Sequence, residues 1–361
     1  MSEKFKVHIK EYSSGQAEEW DSVVKKLCNY DVFYLNGYVK AFEQENPVNG
    51  EPILLVYDNG EDYAINVVFR RDIGKVSEFA EKIREGKYFD LISPYGYGGF
   101  IGKISDYGTL DLVYEEYCRE KGYVSEFVRF ELFSEYSKHY ADKDGYVESR
   151  THNVIRNLQI PLDEIWMDFK HKVRKNVKKA KRNGLQIIID ETGEYLDDFI
   201  SVYYDTMQRT HAEKTFFFSK NFFKKMNEMS GNFAYFYVKF EDRIISAELV
   251  IYGAENCYSY LGGTDQAYFE IRPNDFLKYE VIKWAKEKGL KNYVLGGGYG
   301  SDDGIFQYKT CLAPGGIVPF YIGKKILDFD VYDELCKIRG IKPHSDNIDE
   351  IDFFPEYREG D

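Results

Sequence analysis

A chain of 361 residues exceeds the size at which one hydrophobic core usually keeps growing, so two domains are expected. Hydrophobic (43%) and charged (30%) contents suit a folded globular protein, and 48 basic against 61 acidic residues leave a net charge of −13. That balance excludes general attraction of the whole molecule to nucleic acid or anionic membrane, so any polyanion must meet a local patch.

The five cysteines, Cys28, Cys118, Cys257, Cys311 and Cys336, form no Cys-x-x-Cys pair. Their scatter argues against a zinc site or a disulfide framework, and they read as reduced thiols of a cytoplasmic protein. The opening segment MSEKFKVHIKEYSS lacks an apolar stretch, and no run approaches the ~20 apolar residues that span a bilayer; the expectation is a chain neither exported nor membrane-embedded. Aromatic residues reach 17%, which suggests aromatic-lined clefts, although a codon bias towards Tyr and Phe would leave the same mark.

In chain order, the pattern predicts a strand at Phe5 to Ile9, a helix around Ala17 to Leu27 and a short helix around Gly37 to Glu45. Ile53 to Tyr57 and Tyr63 to Phe69 flank Asp58-Asn59-Gly60, turn chemistry that permits positive φ and joins antiparallel strands. A helix at about Val76 to Arg84, the Gly/Tyr-rich loop Ser93 to Phe100, a helix near Leu110 to Lys121 and a strand at Tyr123 to Leu132 complete this half.

After a polar stretch the order begins again, with strand Val154 to Ile160, helix Asp163 to Arg182, strand Leu185 to Ile189 and helix Tyr195 to Arg209. Phe233 to Phe240 and Ile244 to Tyr252 form a hairpin across Glu241-Asp242-Arg243. Cys257 to Leu261 is a third strand, and Asp275 to Lys288 a long helix stopped at Gly289. Strands at Val294 to Leu295 and Ile317 to Ile322 and a helix at Val331 to Arg339 follow. The fold class is α/β (α+β), with domains at 1–150 and 151–325, then a C-terminal helix and acidic tail, 326–361, with the option of packing back on the first domain.

Meandering strands, a helix and then a strand is the element order of the GNAT acyltransferase core. The segment IRPNDFLKYEVIKWAKEKGLKNYVL, Ile271 to Leu295, resembles the GNAT stretch in which a strand ends at Pro, a helix starts, and the next strand follows a Gly. The resemblance implies two GNAT-like (acyl-CoA N-acyltransferase-like) domains in tandem. GNAT enzymes carry a Gly-rich loop here that holds the CoA pyrophosphate on bare helix amides. This chain has Arg272-Pro273-Asn274-Asp275-Phe276 instead, where Asn274 or Asp275 reads as an N-cap that would consume those amides and disfavour CoA.

Further segments resemble the Fem peptidyltransferase group, which moves an aminoacyl group from tRNA to an amine of a peptidoglycan precursor. KHKVRKNVKKAKR, Lys170 to Arg182, holds eight Lys/Arg and no acid; it resembles a Fem signature, read here as Lys172, Arg174, Lys178 or Lys179, Ala180 and Gly184, and Lys172, Arg174, Lys178 and Lys181 are the candidate donor-binding residues. On a helix, Arg174, Lys178, Lys181 and Arg182 fall near one side, and an ordinary solvated basic face is the competing reading. By the same resemblance Arg209 approaches the acceptor's phosphates, and Lys40 occupies roughly the place of an acceptor-binding lysine. Tyr258 and Tyr260 alternate on one strand face and are candidates to line the acceptor channel, with Tyr95 and Tyr97 of SPYGYGGF as a wall beside it.

Gly296-Gly297-Gly298 followed by Gly304 to Thr310, GIFQYKT, resembles the Fem close in which an aromatic-Lys pair sits beside the reacting carbonyl. Tyr308 and Lys309 are accordingly the catalytic candidates, the lysine cation stabilising an oxyanion in a dry cleft. Asp302 and Asp303 are possible proton acceptors, with turn formation as the plainer role.

The implied function is an acyltransferase acting on a cell-envelope precursor. No cofactor would be tightly bound, and the donor is either aminoacyl-tRNA or acyl-CoA. Partners would be a nucleotide-linked or other small envelope precursor and charged tRNA. An acyl-CoA-dependent N-acyltransferase on another small substrate and a non-catalytic precursor-binding module remain alternatives.

Overall fold

The computed structural model describes residues 8–46, 49–141, 145–298 and 303–360. By internal contacts the chain divides into two units, one comprising Met1–Arg150 with Phe320–Asp361, the other Thr151–Pro319.

The first unit runs β1 (Lys10–Ser13), α1 (Ala17–Val24), α2 (Asn36–Glu45), β2 (Glu51–Asp58), β3 (Tyr63–Asp72), β4 (Phe89–Ile92), β5 (Ile101–Lys103), α3 (Tyr107–Lys121), β6 (Tyr123–Arg129) and α4 (Tyr136–Ala141). The chain leaves along β7 (Tyr146–Asn157) and returns along β13 (Ile317–Ile326) before α11 (Phe329–Ile338). β1, β2, β3 and β4 pair antiparallel in that order, β4 pairs parallel with β6, and β6 pairs antiparallel with β13. β2 and β3 are buried along both faces, so their sequences read as apolar runs rather than alternations. Their hairpin closes on Asn59, whose Oδ1 accepts from the amides of Glu61 (2.9 Å) and Asp62 (2.7 Å).

Three expectations for this unit need comment. Of the predicted strand at Phe5 to Ile9, residues 5–7 lie outside the described residues, and strand pairing starts at Lys10. The helix expected at Val76 to Arg84 is absent: 76–83 form consecutive turns that bury Phe79 and Ile83. Asp72 organises their ends, one carboxylate oxygen accepting from Gly74 (2.9 Å) and the other from Gly86 (2.8 Å), which folds the segment back before a helix can propagate. The acidic tail is tied into this unit at its core. Asp90, fully buried, accepts from Arg358 Nε (2.8 Å) and Arg71 Nε (2.5 Å), and the Tyr357 hydroxyl meets Ser125 Oγ at 2.8 Å.

The second unit continues with α5 (Leu162–Asp168), α6 (His171–Arg182), β8 (Gln186–Asp190), α7 (Leu196–Arg209), α8 (Lys220–Met226), β9 (Phe233–Phe240), β10 (Arg243–Tyr252), β11 (Asn256–Thr264), α9 (Pro273–Glu287), β12 (Asn292–Gly296) and α10 (Gly304–Leu312). β8 to β11 form an antiparallel meander, β11 pairs parallel with β12, and β12 pairs antiparallel with β7. This is the pairing pattern of the first unit repeated: antiparallel strands, a helix, a parallel partner, and an antiparallel strand beyond it.

The single helix expected over Asp163 to Arg182 is two helices. Phe169 and Lys170 are extended between them, Phe169 is buried, and the Arg174 guanidinium donates to the carbonyls of Met167 (2.7 Å) and Phe169, satisfying the end of α5. α9 ends as expected, Gly289 taking positive φ just past the Lys288 cap.

Asp90 is the shared counterion of two guanidiniums in the first unit. Replacing Asp90 by Ala leaves both without their carboxylate and is expected to lower unfolding free energy by about 3–5 kcal/mol in a urea titration. A loss below about 1 kcal/mol would show that the tail is held by other contacts.

Candidate functional site

The second unit concentrates its buried polar chemistry where the parallel strands part. β11 and β12 are paired from Asn256 with Asn292 to Tyr258 with Val294. The next residue, Ser259, receives a bond from the Lys278 ammonium of α9 (2.5 Å). Lys278 also pairs with Glu248 of β10 at 2.6 Å and reaches the Tyr293 hydroxyl of β12 at 3.3 Å, while Tyr293 donates to Glu248. Glu248 is 4% exposed and Lys278 7%, so both charges are taken out of water and neutralise each other.

Lys309 lies at the edge of this network. α10 starts at the Asp303 cap, whose carboxylate accepts from Ile305 N (3.0 Å), and its second turn carries the Lys309 amine back to the end of β12. There it donates to the Gly297 carbonyl at 2.6 Å. Gly296, at φ +83°, lets it approach: a Cβ at that position would stand 3.2 Å from the Lys309 nitrogen. Burial lowers the Lys309 amine to about 8, the neighbouring Lys278 cation pushes the same way, and Glu248 and Asp303 oppose it.

Tyr308 is half-buried, but its hydroxyl is fully enclosed and has no hydrogen-bond partner among the described residues. Burial raises it well above the usual phenol range, as do the carboxylates of Asp275 and Glu248. An enclosed hydroxyl without a partner is costly, and the Tyr123 hydroxyl of the first unit is in the same condition.

Asp275 corrects the sequence reading of the α9 start. The cap position is Arg272, in a left-handed conformation at φ 64°, with no side-chain cap bond; Asn274 and Asp275 are inside the first turn. Pro273 sets that register, being suited to the first helical position. The Asp275 carboxyl is buried, accepts from Asn176 Nδ2 of α6 at 3.1 Å, and is raised by burial to about 6 against the pull of Asn176, Arg272 and Lys172. A buried carboxyl group therefore stands in the first turn of α9, where a capping side chain was expected.

Of the proposed donor residues, Arg174 is spent on closing α5, and Lys181 pairs with Glu280 (3.4 Å) with its ammonium 4.7 Å from the Tyr279 ring centre. Lys178 lies 5.9 Å over Trp166. Lys172 is exposed, and its charge is felt by Asp275. Arg209, exposed at the end of α7, stacks over Phe269 at 5.1 Å and lines an open cleft of about 450 Å³ with Asp205, Gln208, Thr264, Asp265 and Gln266.

Tyr258 is buried and Tyr260 half-buried. The pairing register of β10 with β11 skips Tyr260, the extra residue of a β-bulge, so the alternation expected to align the two rings is interrupted. Asp303 is a helix cap, and Asp302 lies outside the described residues.

Lys40, Tyr95 and Tyr97 belong to the first unit. The Lys40 ammonium donates to the Ser14 carbonyl at 3.3 Å. Tyr95 is 45% exposed, with its carbonyl held by the Tyr38 hydroxyl at 2.6 Å; Tyr97 is packed edge-on against Phe33 and Phe320. The loop expected to be pliable is tightly seated, since a Cβ on Gly96 would fall 2.4 Å from the Phe33 ring.

The sequence reading missed Glu248, Lys278, Tyr293, Ser259, Asp275 in its buried role, and Asn176. The available signal was a lone carboxylate inside the apolar strand ISAELVIY, which a solvent-facing strand position would not require.

Asp275 yields a test whose sign is fixed. Its folded value of about 6 lies above the usual 3.8, so the folded state holds its proton longer, and stability falls as pH rises from about 4 to about 6. Asp275→Asn removes that penalty and should stabilise the protein by on the order of 1–3 kcal/mol at pH 7 but by almost nothing at pH 4, read by denaturation at both pH values. Equal effects at both would contradict the buried-carboxyl account.

Residues 167–310 match the family described as Acetyltransferase (GNAT) domain. The UDP-N-acetylmuramoylpentapeptide-lysine N(6)-alanyltransferase of Weissella viridescens is 24% identical over 203 residues, 53% of this chain and 57% of that protein. The lipid II:glycine glycyltransferase of Staphylococcus haemolyticus is 28% identical over 86 residues, 24% of this chain and 20% of that one. The chain thus spans little more than half the length of the first relative and a fifth of the second. In fold it is similar to the crystal structure of FemX, at 13% identity and a TM-score of 0.69, over 91% of this chain and 99% of that one. Residues 167–310 therefore carry the match to the GNAT acetyltransferase domain, and the chain is similar in sequence to Fem-like peptidoglycan transferases and in fold to FemX.

Proposed function

We propose that this protein transfers an aminoacyl group from a charged tRNA to an amine of a peptidoglycan precursor, in the cytoplasm and without a tightly bound cofactor. The observation that carries the reading is the placement of Lys309. Its ammonium has three donors, one is used on Gly297, and the other two meet no partner among the described residues and can serve an oxygen that becomes negative when an amine attacks an ester carbonyl. Partial burial strengthens that interaction relative to bulk water. Tyr308, its neighbour in sequence, is the second catalytic candidate, its hydroxyl enclosed and without a hydrogen-bond partner among the described residues.

Precursor chemistry comes from the relatives, one named for UDP-N-acetylmuramoylpentapeptide-lysine and the other for lipid II. Arg209, facing the cleft at the end of α7, suits the phosphates of such an acceptor. Lys40, Tyr95 and Tyr97, with Tyr258 and Tyr260, are the further acceptor candidates. Lys172 and Lys178 are the basic side chains of α6 best placed to meet a polyanionic donor, since Arg174 and Lys181 are committed within the protein. The Asp275 carboxylate at the α9 start disfavours the CoA alternative, because its charge opposes a pyrophosphate there.

Lys309→Met should reduce transfer at pH 7 by about 10²–10³-fold in kcat, the loss typical of a removed oxyanion donor. The melting temperature should stay within a few degrees, since a partly buried amine is replaced by an apolar chain. Wild-type turnover in the variant would remove Lys309 from the mechanism. The donor is decided by salt: binding of charged tRNA should weaken by orders of magnitude between 50 and 200 mM salt, whereas a CoA thioester would lose little.

A further inference from the structure

Every described arginine that is not fully exposed has a carboxylate or a carbonyl at its guanidinium, with one exception. The others pair with acids, as Arg71 does with Asp90 and Arg156 with Asp168, or close a helix end, as Arg174 does. Arg129, half-buried at the end of β6, has neither among the described residues. Its guanidinium lies over the Phe127 ring at 5.0 Å, an aromatic face that holds a cation without neutralising it. Its nitrogens are not among the sealed polar atoms that lack a partner, so solvent reaches them.

The first unit places this cation where its parallel strands part. β4 and β6 are paired from Phe89 with Tyr123 to Ile92 with Phe127. Beyond that, the Ser93 amide bonds the Phe127 carbonyl (2.9 Å) and Ser93 Oγ accepts from the Arg129 amide (2.9 Å). The chain then leaves β6 and rejoins it at Gly98, whose amide donates to the Arg129 carbonyl at 2.6 Å. Residues 94–97 arch away between those two bonds, with Tyr95 exposed on the arch. The carboxyl end of parallel strands, where the chain turns aside, is a common setting for a ligand.

Charge on this face is unbalanced. By strand register Arg71, Asp90, Phe127 and Arg129 share one side of the sheet. Asp90 serves Arg71 and Arg358, and no carboxylate among the described residues serves Arg129. A cation partly removed from water without a counterion is costly, and a chain of net charge −13 has acids enough to supply one. Burial accordingly lowers the Arg129 guanidinium from its ordinary value and the Arg71 cation pushes the same way, against Tyr95 and Tyr38.

We propose that Arg129 anchors a phosphate-binding site in the first unit, its guanidinium fork taking two oxygens of a phosphate group carried by a small ligand. The fork matches two phosphate oxygens, and the Phe127 ring beneath it gives its plane a support. The second cation of this face, Arg71, favours a dianion over a carboxylate. A recessed guanidinium in an acidic protein suits a small ligand better than the backbone of a nucleic acid. The site uses neither Lys309 nor Arg209 and stands whether or not the chain transfers acyl groups.

The test is binding of inorganic pyrophosphate by calorimetry, on the full-length protein carrying Arg209→Gln so that the other proposed phosphate contact is removed. Saturable binding is expected, weakened about tenfold or more by adding Arg129→Gln and less by Arg129→Lys, which keeps the charge and loses the fork. A second reading leaves Arg129 in place: phenylglyoxal modifies accessible guanidiniums, and its rate at Arg129, followed by peptide mass spectrometry, should fall as pyrophosphate saturates. Acetate at equal ionic strength should leave that rate unchanged.

Weakened binding in Arg129→Gln supports the proposal, and protection of Arg129 by pyrophosphate decides it if that variant does not fold. Binding that survives Arg129→Gln, or labelling that pyrophosphate leaves unchanged, overturns it, Arg129 then serving only to cover Phe127. Equal protection by acetate would overturn the assignment to phosphate, and protection by uncharged tRNA but not by pyrophosphate would overturn the assignment to a small ligand.

Discussion

The second unit is organised around one electrostatic constraint: a lysine amine brought to a protein carbonyl in partial burial, next to a carboxylate and ammonium that have already neutralised each other. A lysine in bulk water gains little by facing an oxygen, whereas one bonded among the described residues to Gly297 has two further donors and a proton that burial loosens to about 8. Such a group is still charged in about nine molecules of ten at pH 7. The local backbone follows from that requirement, since Gly296 clears the path and the Asp303 cap starts α10 in time to return Lys309 to the strand end.

The duplication seen in the sheets gives this constraint a setting. Each unit builds an antiparallel meander, crosses through a helix to a parallel partner, and closes with an antiparallel strand. Parallel pairing that stops early leaves backbone and side chains to be satisfied by something other than the neighbouring strand. In the second unit, past Tyr258 and Val294, that role falls to the bonds among Lys278, Ser259, Tyr293 and Glu248. In the first, the equivalent helix and strand bury Tyr114 against Glu126, joined at 2.6 Å, in an aromatic core bordered by Lys325 of β13, 6.0 Å from the Tyr140 ring.

The legibility of this architecture in the sequence was uneven, for physical reasons. The hairpins at Asn59 and Asp242 and the end of α9 at Gly289 are encoded by local backbone chemistry, and local chemistry can be read directly. The break at Phe169 was hidden because apolar periodicity runs through it; only the tertiary burial of Phe169 and the reach of Arg174 to two carbonyls end the helix there. Asn274 and Asp275 look like caps in isolation, and Pro273 moves the start of the helix ahead of them. Lys309 and Tyr308 can be singled out as candidates in the sequence because a Gly-rich approach and an aromatic-Lys pair are adjacent there. Glu248 and Lys278 were not, because thirty residues separate them and nothing local announces that the strand and helix carrying them will meet.

The most direct measurement is the pH dependence of single-turnover aminoacyl transfer, taken as the ratio of wild-type to Lys309→Met rates so that ionisation of the acceptor amine cancels. If the Lys309 cation stabilises the oxyanion, that ratio is constant at low pH and falls about tenfold per pH unit above about 8, as the cation is lost. A ratio that stays flat from pH 6 to 10, or that grows through 8, would contradict the account.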